Sequence, residues 1–398
     1  MTPIPEPQPH SPSPSDWSWP YWPLVPIYPY GQRRTRRVTV IPDQIWIFEQ
    51  VQGIFYVVVP IRMTVVKLAA GGLLVYAPIA LTRECRRLLD EMIAQHGPIQ
   101  HIILSTISGI EHKVPAIAFA RQFPEAQVWV TPGHWSFPID LPLSWLGLPR
   151  SRTQVLPAES SQTPFGTEFD YAILGPLALG LGKFGEVVLY HRRSHTLLVT
   201  DTVLSVPETP PEVVQLNPYP LLFHAKDEPT DAIRDFPEHR VKGWQRICLF
   251  ALYFRPSTLE TIELPIAWQA AQAAPDRSRP AYWGLYPFKW QPDWHDSFTA
   301  LHQDGQLIVA PILQTLILNR APATVQQWCA RVAQWPFEQI IPAHFTAPIA
   351  ASSNDWRQAF TFLHRNVSRN DTQFEQDTQV LRAIDAGLVK RKITPPAP

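Results

Sequence analysis

Three stretches of this chain place an acid or a histidine where a short apolar run ends. Ile102-Ile103-Leu104 leads through Ser105-Thr106-Ile107-Ser108-Gly109-Ile110 into the pair Glu111-His112. Leu197-Leu198-Val199-Thr200 ends in Asp201, and Ile340-Ile341-Pro342-Ala343 ends in His344. Carboxylates and imidazoles are the side chains that ligate metals and carry protons. Each stretch alone is a weak signal, because an Asp closing a strand or a His in a turn also persists by hydrogen-bonding neighbouring backbone. His134 in Pro132-Gly133-His134-Trp135 and His224 in Phe223-His224-Ala225-Lys226-Asp227 are secondary candidates, read first as capping or hydrogen-bonded loop histidines. Other chemistries lack their signatures. No Ser sits in a Gly-x-Ser-x-Gly elbow, and Gly180-Leu181-Gly182 lacks the full glycine pattern of a phosphate loop. Cys85, Cys248 and Cys329 form no CxxC pair. So sparse and odd a set argues against a disulfide framework or a zinc ribbon and fits a reducing compartment.

The elements that must carry these residues begin at Gln44. Ile45 to Phe48, Phe55 to Pro60, Thr64 to Leu68 and Leu73 to Tyr76 are β-branched or aromatic runs broken by Gly or polar turns, and read as a meander of four strands. Leu81 to Gln95 has helical apolar spacing with Thr82 as N-cap. The spacing then predicts a strand at 102–104, a loop carrying Glu111-His112, a helix from Val114 to Phe123, and a strand from Gln127 to Val130. A hairpin follows (187–190 and 196–200), with His191 to His195 at its turn. Residues 205–318 are rich in Pro, Trp and charge and only intermittently periodic, which reads as an insertion. A helix from Ala323 to Trp335, a strand at 339–341 and a helix from Asp355 to Asn366 close the pattern. A β-meander followed by β/α alternation is a mixed, layered α/β architecture.

The order and spacing resemble the metallo-β-lactamase superfamily, whose two-metal site draws a His-x-His-x-Asp-His loop after a strand, a middle His, an Asp ending a hairpin strand, and a His after a final strand. The resemblance covers residues 44–204 and 320–350 and implies an αββα sandwich. Leu73-Leu74-Val75-Tyr76-Ala77-Pro78, His224-Ala225-Lys226-Asp227 and Gly243-Trp244-Gln245-Arg246 make it most similar to a family of degenerate members found mainly in oxygenic phototrophs. Carried over residue by residue, the match is half complete. Ile107 and Gly109 stand for the two leading His, and Leu181-Gly182-Lys183 stands near the middle one. Neither Ile nor Gly offers a lone pair, so the first metal site is expected to be lost. The second-site positions are Glu111, His112, Asp201 and His344. Their imidazoles and carboxylates suit one divalent metal, Zn, Fe or Mn, with positions left for water. As a hydrolase of an ester or phosphoester, the chain would use Glu111 or Asp201 as general base and the other as ligand.

The competing class is a non-catalytic binding or assembly factor on a degenerate scaffold, and the loss of three ligands favours it. Its protein partner or membrane surface would be met by the aromatic and basic arm and by Trp244, Phe250, Tyr253, Phe254, Trp283, Trp290 and Trp294 of the insertion. Lining a cleft before His112 and His344, those aromatics would make a substrate pocket; outward-facing, they would mark an interface. Lys+Arg and Asp+Glu are both 34, so no overall charge draws nucleic acid. The arm, 1–43, concentrates proline and aromatics in Pro20-Tyr21-Trp22-Pro23 and Pro26-Ile27-Tyr28-Pro29, which precludes a helix or central strand. Residues 1–15 are expected to be disordered, whereas 17–30 are aromatic enough to dock on the body or on a partner. Arg33-Arg34-Thr35-Arg36-Arg37 precedes no hydrophobic segment of the kind an export signal needs. The expected organisation is therefore the arm, one domain over 44–366 containing the insertion, and a tail over 367–398, disordered from Lys390. The expected location is cytoplasmic, with peripheral membrane contact.

Overall fold

Strands β1 (Arg36–Ile41), β2 (Ile45–Ile54), β3 (Val57–Lys67), β4 (Leu73–Tyr76), β5 (Ile99–Leu104), β6 (Gln127–Val130) and β7 (Thr153–Val155) form one sheet in chain order. It is antiparallel as far as β4 and parallel from there on. A second sheet has the order β14 (Ile349–Ala350), β13 (Gln339–Pro342), β10 (Thr196–Val199), β9 (Lys183–His191), β8 (Phe169–Ala178). The computed structural model describes residues 13–25, 27–107, 109–134, 141–180, 182–364 and 372–398. Residues 1–12 of the arm, and Ser108, Trp135 and Leu181 of the motifs above, lie outside that set.

The inner faces of the sheets pack on each other through Ile45, Ile47, Tyr76 and Ile103 from the first and Phe169, Val187, Leu198 and Ile341 from the second. Helices α1 (Arg83–His96) and α2 (Ile110–Gln122) cover the outer face of the first sheet with Leu89, Met92 and Phe119. On the far side, α9 (Pro322–Val332) and α10 (Ser353–Ala359) cover the second with Trp328, Val332 and Trp356. The layers are helix, sheet, sheet, helix, as the metallo-β-lactamase resemblance implies. The Thr82 side chain caps α1 by accepting from Cys85 N, at 3.2 Å.

Two local expectations are corrected. Phe55 to Pro60 and Thr64 to Leu68 are not separate strands. Tyr56 and Phe55 turn in the left-handed region (φ 64° and 50°), and β3 then runs unbroken through Pro60. Nor is the Glu111-His112 pair in a loop, for α2 begins at Ile110 with Gly109 as N-cap. Pro115 suggests a helix starting just before it, but a proline near the first turn forfeits one hydrogen bond without ending the helix.

The insertion is helical and forms a core of its own. It contains α3 (Glu212–Gln215), α4 (Tyr219–His224), α5 (Pro237–Tyr253), α6 (Leu264–Ala271), α7 (Trp294–His302), α8 (Pro311–Leu316) and the hairpin of β11 (Leu259–Thr261) with β12 (Phe288–Trp290). Trp244, Tyr253, Trp290 and Trp294 are buried there with Val58 of β3, while Phe254 and Trp283 remain exposed. Thus most of the aromatics foreseen as an interface are core. Inside, Arg246 donates to Asp227, which also takes Lys242, both at 2.6 Å. Where α5 crosses α4, a Cβ on Gly243 would come within 1.8 Å of the Leu221 carbonyl oxygen. Gly243→Ala is therefore expected to cost roughly 1–3 kcal/mol through overpacking, read as a lower urea midpoint; an unchanged midpoint would contradict this crossing.

The arm docks on the body. Trp19 and Tyr28 are buried, and Tyr28 exchanges backbone hydrogen bonds with Gly53 at 2.9 and 3.2 Å. Past α11 (Thr372–Asp377) and α12 (Gln379–Lys390) the chain passes Gly180, where a Cβ would come within 1.8 Å of the Ile393 carbonyl oxygen, and residues 395–398 are exposed. Among the described residues, no helix is long and apolar enough to cross a membrane.

Candidate metal centre

Glu111, Asp201 and His344 converge so that one ligand atom from each lies within 4.8 Å of the others. They arrive from three directions. Glu111 sits in the first turn of α2, where the helix dipole favours an anion. Gly109 makes room, since a Cβ there would come within 3.1 Å of Glu111 Oε1. Asp201 lies just past β10 and His344 just past β13, and these parallel neighbours stay in step as Ala343 N donates to Thr200 O at 3.2 Å.

The loop bearing Asp201 is held by Glu186 of β9, a residue the sequence reading missed. Its fully buried carboxylate accepts from the backbone amides of Thr200 (2.6 Å), Asp201 (3.1 Å) and Thr202 (3.0 Å). Nothing in Lys183–His191 marks Glu186 except a lone acid inside a buried strand. Burial, and then the Asp201 carboxylate, push the Glu186 pKa upward against the pull of those amides.

His344 Nδ1 meets the Pro60 carbonyl at 2.8 Å, and its Nε2 meets Asp201 Oδ1 at 3.2 Å. A carbonyl only accepts, so Nδ1 carries a proton and Nε2 is turned toward the carboxylates. His112, fully buried, is posed in the same way. Its Nδ1 meets Pro78 O at 3.2 Å, while its Nε2 is buried with no hydrogen-bond partner among the described residues. Burial lowers its pKa to about 4, so the ring is neutral and Nε2 bears a lone pair. The two imidazole centroids are 6.2 Å apart. A backbone carbonyl fixing one ring nitrogen while the other points inward is how proteins orient metal-binding histidines.

Burial opposes charge on His344, but its hydrogen bond to Asp201 and the charges of Asp201 and Glu111 outweigh it and raise its pKa. Burial and then Asp201 raise the Glu111 pKa. Burial also opposes charge on Asp201, but the hydrogen bond and charge of His344 outweigh it and hold that pKa down. Lys113 is near yet committed, its Nζ donating to Ile107 O at 2.6 Å. Two carboxylates and an imidazole whose ligand atoms lie within 4.8 Å of one another, with the His112 ring centred 6.2 Å from that of His344, fit a divalent ion. Beside this set, Ile107 is buried with its tip packed on Gly185, and Gly109 has no side chain to offer.

The carboxylates and His344 open into a cavity of about 350 Å³. Its walls are Phe184 and Phe345 with Ala251, Leu252, Ile312 and Leu313 from the insertion. The insertion thus faces the site with aliphatic side chains, not with its tryptophans.

The secondary candidates stand apart from the triad. His134 follows β6, its backbone N–H donating to Thr131 O at 3.1 Å. His224 is fully buried in the insertion core, Nε2 against Phe55 O at 3.2 Å. Burial pushes its pKa down to about 4, as it does for His101 and His191. Each folded-state pKa lies below the unfolded value near ~6.5, so unfolding takes up protons and stability falls as pH drops from there toward 4. At about 1.36 kcal/mol per unit, each histidine accounts for roughly 3 kcal/mol across that window. Urea midpoints measured from pH 7 to 4.5 should fall steeply below pH 6; a flat profile would mean these rings are not held neutral.

Two sheets packed face to face between helices, with Asp201 and His344 just past β10 and β13 and Glu111 at the start of α2, make a metallo-β-lactamase-like fold. The chain belongs to the family described as domain of unknown function DUF4336, which matches residues 42–362 and so takes in the insertion. No curated protein matches it in sequence. Among solved structures it is similar to the metallo-β-lactamase DIM-1 exposed to ceftazidime (10% identity, 82% of this chain and 96% of that one, TM-score 0.38). It is also similar to the metal-soaked flavodiiron core of Flv1 from Synechocystis (10%, 83% and 61%, 0.40). A flavo-di-iron protein variant from Thermotoga maritima matches at 9% identity over 83% and 61%, with TM-score 0.38.

Proposed function

We propose that the chain binds one divalent cation, zinc, iron(II) or manganese(II), through His112, Asp201 and His344, and uses it to hydrolyse a small ester or phosphoester. The observation that carries this reading is the convergence of Glu111, Asp201 and His344 within 4.8 Å of one another, with the His112 ring, whose buried Nε2 has no partner among the described residues, centred 6.2 Å from that of His344. A buried polar atom without a partner costs about 1–3 kcal/mol, which a ligand would recover. Bound there, a divalent cation supplies Lewis-acid polarisation and activates water near neutral pH. The protein's own groups do the rest. The Pro60 and Pro78 carbonyls fix the Nδ1–H of each ring, so that Nε2 of His112 bears a lone pair and Nε2 of His344 would give up the proton it shares with Asp201 on binding an ion. Glu111, with its pKa raised, is suited to accept a proton from water at its carboxylate. Leu252, Ile312 and Leu313 exclude bulk water and receive the apolar part of a substrate.

A panel of carboxylic and phosphoric esters tests this with metal-reconstituted protein. Glu111→Gln should lower kcat by roughly 10²–10⁴-fold while the metal is retained. Absence of turnover by the reconstituted wild type across the panel would sink the hydrolase reading. A second reading, a non-catalytic binding or assembly factor that meets a protein partner or membrane surface, is favoured by Ile107 and Gly109, which leave a second ion without ligands. Metal retained without turnover is its expected signature.

A further inference from the structure

A second, larger cavity, about 1020 Å³, lies between the arm, the β2–β3 hairpin and the insertion. Val51 and Val58 line it, whereas the adjacent Gln52 and Val59 line the cavity at the triad. Successive strand residues point to opposite faces, so the two cavities lie on opposite sides of one hairpin. They share no lining residue.

The walls are aromatic and preset. Tyr56 donates to Pro280 O at 2.8 Å, Tyr28 Oη accepts from Asn217 at 3.0 Å, and the Tyr30 and Tyr282 hydroxyls meet at 3.2 Å. Tyr282 and Trp283 are both in the left-handed region (φ 50° and 56°), which costs an aromatic residue free energy, and Trp283 is left 56% exposed at the cavity's edge. Charge is one-sided. The lining includes Arg34 and Arg279 and no Asp or Glu, and neither arginine forms an ion pair among the described residues. Arg34 instead lies over the Trp17 ring, 4.7 Å from its centroid.

We propose that this cavity is a binding site for a planar, largely apolar small molecule bearing an anionic group, its rings against the tyrosines and Trp283 and its anion received by Arg34. Aromatic walls supply area and stacking, and a guanidinium pairs with a carboxylate, sulfonate or phosphate by charge-assisted hydrogen bonds. The proposal is independent of any metal at the triad.

The test is a fluorescence titration of the full chain with 8-anilinonaphthalene-1-sulfonate and with its neutral relative N-phenyl-1-naphthylamine. The sulfonate should saturate at about one site per chain and bind more tightly than the neutral probe, by the strength of a charge-assisted pair. Arg34→Gln should weaken the sulfonate about tenfold, or ~1.4 kcal/mol, and leave the neutral probe almost unchanged. Should Arg34→Gln fail to fold, Trp283→Ala at the exposed edge serves instead and should weaken both probes several-fold. No saturable binding, equal affinity for the two probes, or a full-strength sulfonate site in either variant overturns the proposal.

Discussion

Purified without added metal or an affinity tag, the protein is expected to carry about one equivalent of a divalent transition metal, because preformed imidazole and carboxylate ligands bind such ions tightly at neutral pH. A His112→Ala/His344→Ala double variant should retain less than roughly a tenth of that, since even residues behind the ligands cost 10–100-fold in affinity when lost. The pair is chosen for what the geometry says of each ring. His112 presents an unpartnered Nε2, and His344 turns its Nε2 toward Asp201 at 3.2 Å. Elemental analysis by mass spectrometry reads both values. Wild-type protein that stays empty after reconstitution with zinc, manganese and ferrous iron would remove the metal, and the hydrolase with it.

The second large effect is expected away from the site, at Arg62. This guanidinium is 2% exposed, pairs with the buried Glu49 at 2.6 Å, and donates from Nη2 to the Phe345 carbonyl next to His344. Arg62→Leu takes from the buried Glu49 carboxylate one of its two guanidinium partners, Arg36 keeping the other oxygen at 3.0 Å, and should cost roughly 1–3 kcal/mol. It also frees the turn that follows β13, so metal content should fall together with stability. Replacing Glu49 and Arg62 together by Met and Leu should restore most of the stability, because no unpaired charge remains inside. Arg36, which also reaches Glu49 at 3.0 Å, keeps Glu212 as its partner. Urea denaturation of the single and double variants reads the coupling. An Arg62→Leu midpoint equal to wild type would show that the pair is not structurally required.

Asp201 and His344 were legible as strand-end residues because an apolar run followed by a turn is a local pattern, and strand ends are where side chains from distant segments can meet. Glu111-His112 was legible as a pair but not as the opening of a helix. Pro115 obscured the boundary, and Gly109 has no side chain to accept a hydrogen bond from the first-turn amides. Glu186 was invisible, since its partners are three backbone amides brought opposite it only by the β9–β10 pairing. The insertion misled for a related reason. Its prolines interrupt the periodicity, so Trp244, Trp290 and Trp294 read as surface until α5, α7 and the β11–β12 hairpin bury them against one another and against Val58. By itself, then, the sequence determined which side chains are able to ligate and the layered plan that carries them, for both are written in residue type and short-range periodicity. That one ligand atom from each of Glu111, Asp201 and His344 lies within 4.8 Å of the others, that the His112 ring is centred 6.2 Å from that of His344, and that a second cavity opens on the other face of the same hairpin were decided only by the tertiary structure, because each depends on register and close approach between segments far apart in the chain.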